Sequence, residues 1–230
     1  MKKSIYYIYL AFVVFALQGC PVIPQAEISG KEKGHGYIDM GTSVMWSPVN
    51  LGATTMGEYG DYYAWGETEP KQYYSILTYK WCDGDTYSFT KYVLSKDCGA
   101  EVDSLTVLEL EDDAAHVHWG GTWRLPTKEE MQELYDNCEF EYIHGDAGRG
   151  ILVTAKNGNT LFFPLTYDWE DDGVKWGYYW TSSLCRNTTA AYTLWLTDNK
   201  NATSQMMRKI RENPRHLKAS IRPVCVPKSK

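Results

Sequence analysis

From Gly36 onward the chain shows short runs that are apolar or alternate apolar with polar positions, broken by Gly, Asn and Asp. A period of two puts every second side chain on one face of an extended backbone, so this rhythm predicts short strands joined by long loops. The runs are 37–40, 44–49, 62–65, 151–155, 161–165, 178–182, 191–197 and 219–226. One segment changes period. Thr127 stands before it with Glu130 three residues on, the reciprocal pair that closes a helix start, and Met131, Leu134, Tyr135 and Cys138 then recur on one side at helical spacing. A shorter helix is predicted to begin at Asp112 or Asp113 and to stop at Gly120, with Leu110, Ala114 and Val117 facing inward. The pair Gly120-Gly121 can take the positive φ that ends a helix. No repeat at a solenoid or propeller period is visible. Two helices among many short strands define an α+β class.

The first residues follow a different rule. Lys2 and Lys3 precede an uncharged apolar stretch at 5–17, which is shorter than the roughly 20 residues a spanning helix needs. That is the layout of a secretory signal. The following Leu17-Gln18-Gly19-Cys20 resembles the lipobox of bacterial lipoproteins. The resemblance implies cleavage before Cys20, a diacylglycerol thioether on its sulfur and an acyl group on its nitrogen. At about 0.8 kcal/mol per buried CH2, such chains hold a protein on a membrane durably. The expected organisation is a signal peptide at 1–19, a lipid-anchored tether at 20–35, one globular domain at 36–227 and a tail at 228–230. The expected address is the bacterial cell envelope, outside the cytoplasm and on the outer membrane.

Composition narrows the function. At 43% hydrophobic and 23% charged, the 230-residue chain has a globular balance. Its 23 Lys plus Arg against 29 Asp plus Glu give a formal net charge of -6, and no long basic run displaces phosphate counterions. Binding to bare nucleic acid is therefore excluded as the expectation. Besides Cys20 the chain has Cys82, Cys98, Cys138, Cys185 and Cys225, an odd number in an oxidising setting. Cys82 with Cys98 and Cys138 with Cys225 are the candidate disulfides. No Cys-x-x-Cys pair points to redox or zinc chemistry.

Four segments in order carry a family resemblance. They are Gly60-Asp61-Tyr62-Tyr63-Ala64-Trp65-Gly66-Glu67-Thr68, the stretch from Glu109 through Ala115 with Trp119-Gly120-Gly121-Thr122-Trp123-Arg124-Leu125-Pro126-Thr127, Gly177-Tyr178-Tyr179-Trp180-Thr181-Ser182-Ser183, and Ser220-Ile221-Arg222-Pro223-Val224-Cys225. Together they resemble the Fibrobacter succinogenes major paralogous domain over roughly residues 36–226. The resemblance implies a C-type lectin-like fold, in which the N- and C-terminal strands lie together and a long loop region carries the ligand. It also implies an exported or lipid-anchored envelope module without assigned catalysis. A fold names a scaffold, so function has to be argued from a site. Trp65, Trp119, Trp123 and Trp180 are expected to fill the core, with Asp112 and Asp113 at a helix start. Arg124 and Arg222 are expected to satisfy loop carbonyls or a carboxylate.

The candidate chemistry lies in loops and aromatic residues. Tyr167, Trp169, Trp176, Tyr192 and Trp195 are the candidate ligand contacts, because Tyr and Trp give large contact area at low entropy cost. Asp168, Glu170, Asp171 and Asp172 crowd hard oxygen atoms into one segment, a candidate calcium loop. The Glu-Pro-Asn, Gln-Pro-Asp and Trp-Asn-Asp triplets of the usual calcium-bridged sugar site are absent. His116 and His118 would share a face on a strand but diverge on the expected helix. The leading expectation is a noncatalytic module that binds a glycan or protein ligand outside the cytoplasm. Two alternatives are a structural or adhesin subunit of an envelope assembly and a retroelement-diversified receptor, the latter prompted by Asn187, Asn199, Asn201 and Asn213 within 187–217. A third draws on Arg124-Leu125-Pro126-Thr127, which resembles a helix-start motif of formylglycine-generating enzymes. Those use two close cysteines, and Cys185 has no such neighbour.

Overall fold

The computed structural model describes residues 27–85, 87–145, 148–165, 167–168, 175–198 and 208–227. The expected signal peptide, Cys20, Trp169, Glu170, Asp171 and Asp172 lie outside the described residues. In chain order the strands and helices are β1 (Gly30–Glu32), β2 (His35–Tyr37), β3 (Met45–Trp46), α1 (Ala114–Trp119), α2 (Lys128–Asn137), β4 (Cys138–Gly145), β5 (Gly148–Ala155), β6 (Thr160–Pro164), β7 (Tyr167–Asp168), β8 (Lys175–Leu184), β9 (Ala190–Thr197), β10 (Arg208–Pro214) and β11 (Val224–Cys225). They form small antiparallel sheets, ordered β1-β2, β3-β11, β4-β5-β6 and β10-β9-β8-β7. Few helices beside small antiparallel sheets make the α+β class expected of the hydrophobic pattern. Among the described residues, no helix is long and apolar enough to cross a membrane.

Helix α2 starts where the capping pair places it. Thr127 Oγ1 accepts from the Glu130 amide at 3.2 Å and Glu130 Oε2 accepts from the Thr127 amide at 2.8 Å. Arg124 clamps the same carboxylate with both guanidinium nitrogens, at 2.7 and 2.6 Å. That bidentate bond anchors the loop before the helix and holds Glu130 below the usual carboxylate range, against the desolvation that pushes it up. Met131 and Leu134 then face a core shared with Trp46, Val153, Phe163, Leu194 and Val224. Chain closure comes from β11, whose Val224 pairs with Trp46 of β3 and bridges Arg124. The last strand therefore lies beside β3, the third strand in chain order.

A second core forms around Trp65, Tyr92, Leu125, Trp180 and Ile221. The rings of Trp65, Trp123 and Trp180 are fully buried, as expected, whereas Trp119 is only partly covered. Each buried indole N–H finds a carbonyl: Trp65 donates to Thr181 O at 2.9 Å, Trp180 to Tyr63 O at 2.8 Å and Trp123 to Glu32 O at 2.8 Å. This pairing fits the rule that buried polar atoms carry partners.

Several expectations are corrected. Leu110 and Val117 are exposed at 51% and 48%, and α1 instead buries Ala114 and Ala115, because a six-residue helix offers too narrow a side to bury more. The run at 62–65 is no strand, only a bridge from Tyr63 to Ala219, and the run at 219–226 narrows to β11. Four strands fall outside the expected runs, the short β1 and β7 and the longer β4 and β10. Cys138 ends α2 but begins β4, where Glu139 and Glu141 face outward while Phe140 and Tyr142 pack on the core. β10, rich in charge and ending in Pro214, pairs residue by residue with β9. The end of the expected tether also belongs to the fold: the β1-β2 hairpin docks through Glu32 on Trp123, and the His35 ring stacks on Trp119 at 4.0 Å. The five described cysteines are free thiols, so neither Cys82–Cys98 nor Cys138–Cys225 is bonded here. Cys82 Sγ donates to Asp85 O, a contact of its own tight turn.

Candidate binding groove

Strand register assembles an aromatic face. Cross-strand partners in an antiparallel pair share a face, and β8 sets Tyr178 opposite Trp195 of β9. Alternation puts Trp176 on the same face as Tyr178. Trp195 meets Tyr178 edge-on at 4.9 Å and Trp176 edge-on at 6.4 Å, while Trp176 and Tyr178 lie parallel at 6.5 Å. On β10, Asn213 pairs with Ala191, two positions along from the Thr193–Arg211 pair, so it faces the same way as Trp195.

Against this face packs the chain at 72–74 and 214–219, enclosing a cavity of about 520 Å³. Its lining combines the rings of Tyr62, Tyr73, Tyr74, Tyr178 and Trp195 with Pro214, Leu217 and the polar groups of Gln72, Glu212, Asn213 and Lys218. That volume lies inside the about 300–1,000 Å³ of ordinary ligand pockets. Internal hydrogen bonds hold the rings in place. Trp195 Nε1 donates to Thr193 Oγ1 at 2.7 Å, Tyr74 Oη donates to Tyr62 O at 2.5 Å, and Tyr74 Oη accepts from the Lys71 amide at 3.1 Å. Burial raises the Tyr74 phenol above its ordinary range, so the ring stays neutral. The Lys218 ammonium sits 5.1 Å over the Tyr62 ring, and the Arg211 guanidinium 5.1 Å over the Trp195 ring.

The candidate contacts divide around this groove. Trp195 lines it and Trp176 extends its aromatic face. Tyr192 does not join them: it occurs one position out of phase with Trp195, and its ring takes the Lys128 ammonium of α2 at 4.3 Å. Tyr167 and Asp168 pair in β7 with Trp176 and Lys175, so the candidate calcium segment begins at the end of β8. Sequence reasoning passed over Tyr62, Tyr73, Tyr74 and Asn213 as contacts. The only sequence signal of the three tyrosines is the density of Tyr at 59–74, and that of Asn213 is its place among the Asn residues of 187–217.

The other acidic cluster holds a cation of its own. Glu109, Glu111 and Asp112 bring carboxylate oxygens within 4.8 Å of one another. Lys91 Nζ lies 2.6 Å from Glu109, 3.1 Å from Glu111 and 2.7 Å from Asp112. The tethered ammonium thus takes the position a hard metal ion would need, and the three hydrogen bonds keep Lys91 charged well above its ordinary range despite desolvation. Asp113 caps α1 through His116 N at 3.0 Å and accepts from Leu125 N at 2.7 Å. His116 and His118 diverge, as a helix requires: His116 Nδ1 meets Trp123 O at 3.2 Å and His118 Nε2 meets Thr68 O at 2.7 Å.

Two buried arginines brace loops of the fold. Arg222 donates to Asn50 Oδ1 at 2.9 Å, Pro48 O at 2.9 Å, Ser47 O at 3.2 Å and Phe162 O at 2.7 Å, and burial pushes its guanidinium down to about 10. Arg215, with no sequence signal beyond its charge, does the same for Lys91 O, Tyr92 O and Thr188 O. Cys185 is buried and its thiol is pushed up to about 12, so no reactive thiolate stands there.

No family model, curated protein or solved structure matches this chain.

Proposed function

We propose that this protein is a noncatalytic binding module of the bacterial cell envelope, lipid-anchored through Cys20, that takes an extracytoplasmic glycan or protein ligand in the aromatic groove. The observation that carries the reading is the groove itself: five aromatic rings and a few polar groups around about 520 Å³. Rings locked by internal hydrogen bonds lose little freedom on binding, which favours affinity. A lectin-like relation of the scaffold is part of the same proposal; the pairing of the last strand β11 with the early strand β3 and a long loop stretch between β3 and α1 support it. The groove lining is mostly aromatic rings and apolar side chains with a few polar groups, an arrangement suited to holding a ligand.

The test is binding of the full chain in detergent micelles to arrayed glycans and purified envelope polymers, with calcium and with EDTA. Binding that Trp195→Ala abolishes in both conditions is the expected result. Binding lost only in EDTA would move the site to the segment around Asp168, Glu170, Asp171 and Asp172, and no binding at all would overturn the reading in favour of an assembly subunit.

A further inference from the structure

Asn213 is the group that says what the groove takes. The residue is only 6% exposed and lines the cavity, yet its side-chain amide makes no hydrogen bond among the described residues. Its amide atoms are not among the fully buried, unpaired side-chain atoms, of which Thr122 Oγ1 is the one found among the described residues, so the amide reaches the water of the cavity. Its neighbours have partners: Trp195 Nε1 is bound to Thr193, Tyr74 Oη to Tyr62, and the Arg215 guanidinium to backbone carbonyls and Tyr79 Oη. The unmet amide therefore faces the space between the rings.

Resting on the binding-module reading, we propose that the groove binds a neutral pyranose glycan, with Asn213 as its hydroxyl-reading residue. The chemistry follows from what each wall offers. An amide presents a donor and an acceptor side by side, the complement of two adjacent sugar hydroxyls, each of which can give and take a hydrogen bond. Glu212 pairs with Tyr192 and so shares the face of the sheet turned to α2, which leaves the uncharged Asn213 amide as the hydroxyl-reading group that β10 gives to the groove side. Tyr178 and Trp195 supply apolar ring surface for the C–H face of a pyranose. A peptide ligand fits these walls less well, since the Trp195 N–H that would donate to a peptide carbonyl is already spent on Thr193. No metal ion is required by this arrangement.

The experiment uses the full chain in detergent micelles with four probes: neutral hexose oligosaccharides of β-glucan and mannan, polygalacturonate, a proline-rich peptide, and buffer alone, each with calcium and with EDTA. The variants are Asn213→Leu and Trp195→Ala, with thermal melting recorded for each. Neutral oligosaccharides are expected to bind equally with and without calcium. Asn213→Leu should weaken them roughly tenfold or more, the loss expected when hydrogen bonds to the ligand go, while its melting temperature stays level because the amide has no partner to lose among the described residues. A marked fall in the melting temperature of Asn213→Leu would mean that the amide has a structural partner, and the inference would be overturned. Binding of polygalacturonate or the peptide alone, lost in Trp195→Ala, would overturn the neutral-glycan assignment and leave the binding-module reading standing. Failure of every probe would sink both.

Discussion

Replacing Arg215 with Met tests whether a buried guanidinium, and not the aromatic rings around it, holds loops of the fold together. The side chain is fully buried and has no carboxylate partner among the described residues. It donates to Tyr79 Oη at 3.0 Å, Tyr92 O at 3.2 Å, Thr188 O at 3.1 Å and Lys91 O at 2.8 Å, and lies 4.5 Å over Phe89 and 5.1 Å over Trp65. These acceptors come from 79, 91–92 and 188, so one residue ties three loops that are distant in sequence. Met keeps the aliphatic stem and removes the donors. Three carbonyls and a phenol oxygen then lose a partner in the core, each at about 1 kcal/mol or more, which sums to roughly 4 kcal/mol. Releasing the guanidinium from its desolvated site offsets part of this, leaving a net loss of about 2–4 kcal/mol. At about 2–4 °C per kcal/mol for a domain of this size, the melting temperature should fall by roughly 5–15 °C. Far-ultraviolet circular dichroism measures the shift, with Arg211→Met as the matched control: that arginine is exposed over Trp195 and should change stability by no more than about 0.5 kcal/mol. Equal melting temperatures for the two variants would refute the reasoning, because the hydrogen bonds would then contribute no more than a surface charge does.

Burial raises the Asp113 carboxyl to about 6, above an unfolded value near 3.9. The folded chain then holds this proton more tightly, so its contribution is present at low pH and is lost as pH rises through about 4 to 6, to an extent of roughly 3 kcal/mol. Urea titrations from pH 4 to 7 should show that slope shrinking in Asp113→Asn, and an unchanged slope would place the effect elsewhere. Lys91→Met leaves Glu109, Glu111 and Asp112 without their ammonium and should cost about 2 kcal/mol, with millimolar calcium restoring part of it through hard oxygen ligands. A melting temperature of that variant indifferent to calcium would show that the oxygens are too far apart or too mobile to ligate. Cys185 and Cys225, both buried with thiols pushed up to about 12, should resist iodoacetamide in the native protein at pH 8, whereas the half-buried Cys82 and Cys98 should react. Peptide mass mapping reads this directly, and rapid labelling of Cys185 would contradict its placement.

Local physics was legible in the amino-acid sequence. The Thr127–Glu130 capping pair needs only four residues of backbone, so the start of α2 follows from composition and spacing alone. Short apolar or alternating runs at 151–155, 161–165, 178–182 and 191–197 marked four strands, because a buried strand needs apolar residues on one face or on both. Trp65, Trp123 and Trp180 reached the core as their size suggested, whereas Trp119 stayed partly covered. β4 and β10 were missed where the pattern carries charge: Glu139, Glu141, Lys209 and Arg211 lie on edge strands, whose outer faces water can solvate.

The groove is a tertiary product. Trp195 was singled out from its residue type, but its partnership with Tyr178 is set by the β8-β9 register, and that of both with Tyr74 and Asn213 by the packing of loops more than 100 residues apart. Tyr192, three residues before Trp195, looked equivalent and was turned to the opposite face by the same register. Arg215 and Lys91 were ordinary cations until the fold surrounded one with carbonyls and rings and the other with three carboxylates. Caps, strand rhythm and ring size act over a few residues and can be read along the chain. Which polar groups end up buried, paired or left open depends on what arrives from far along it, and only the closed structure brings those groups together.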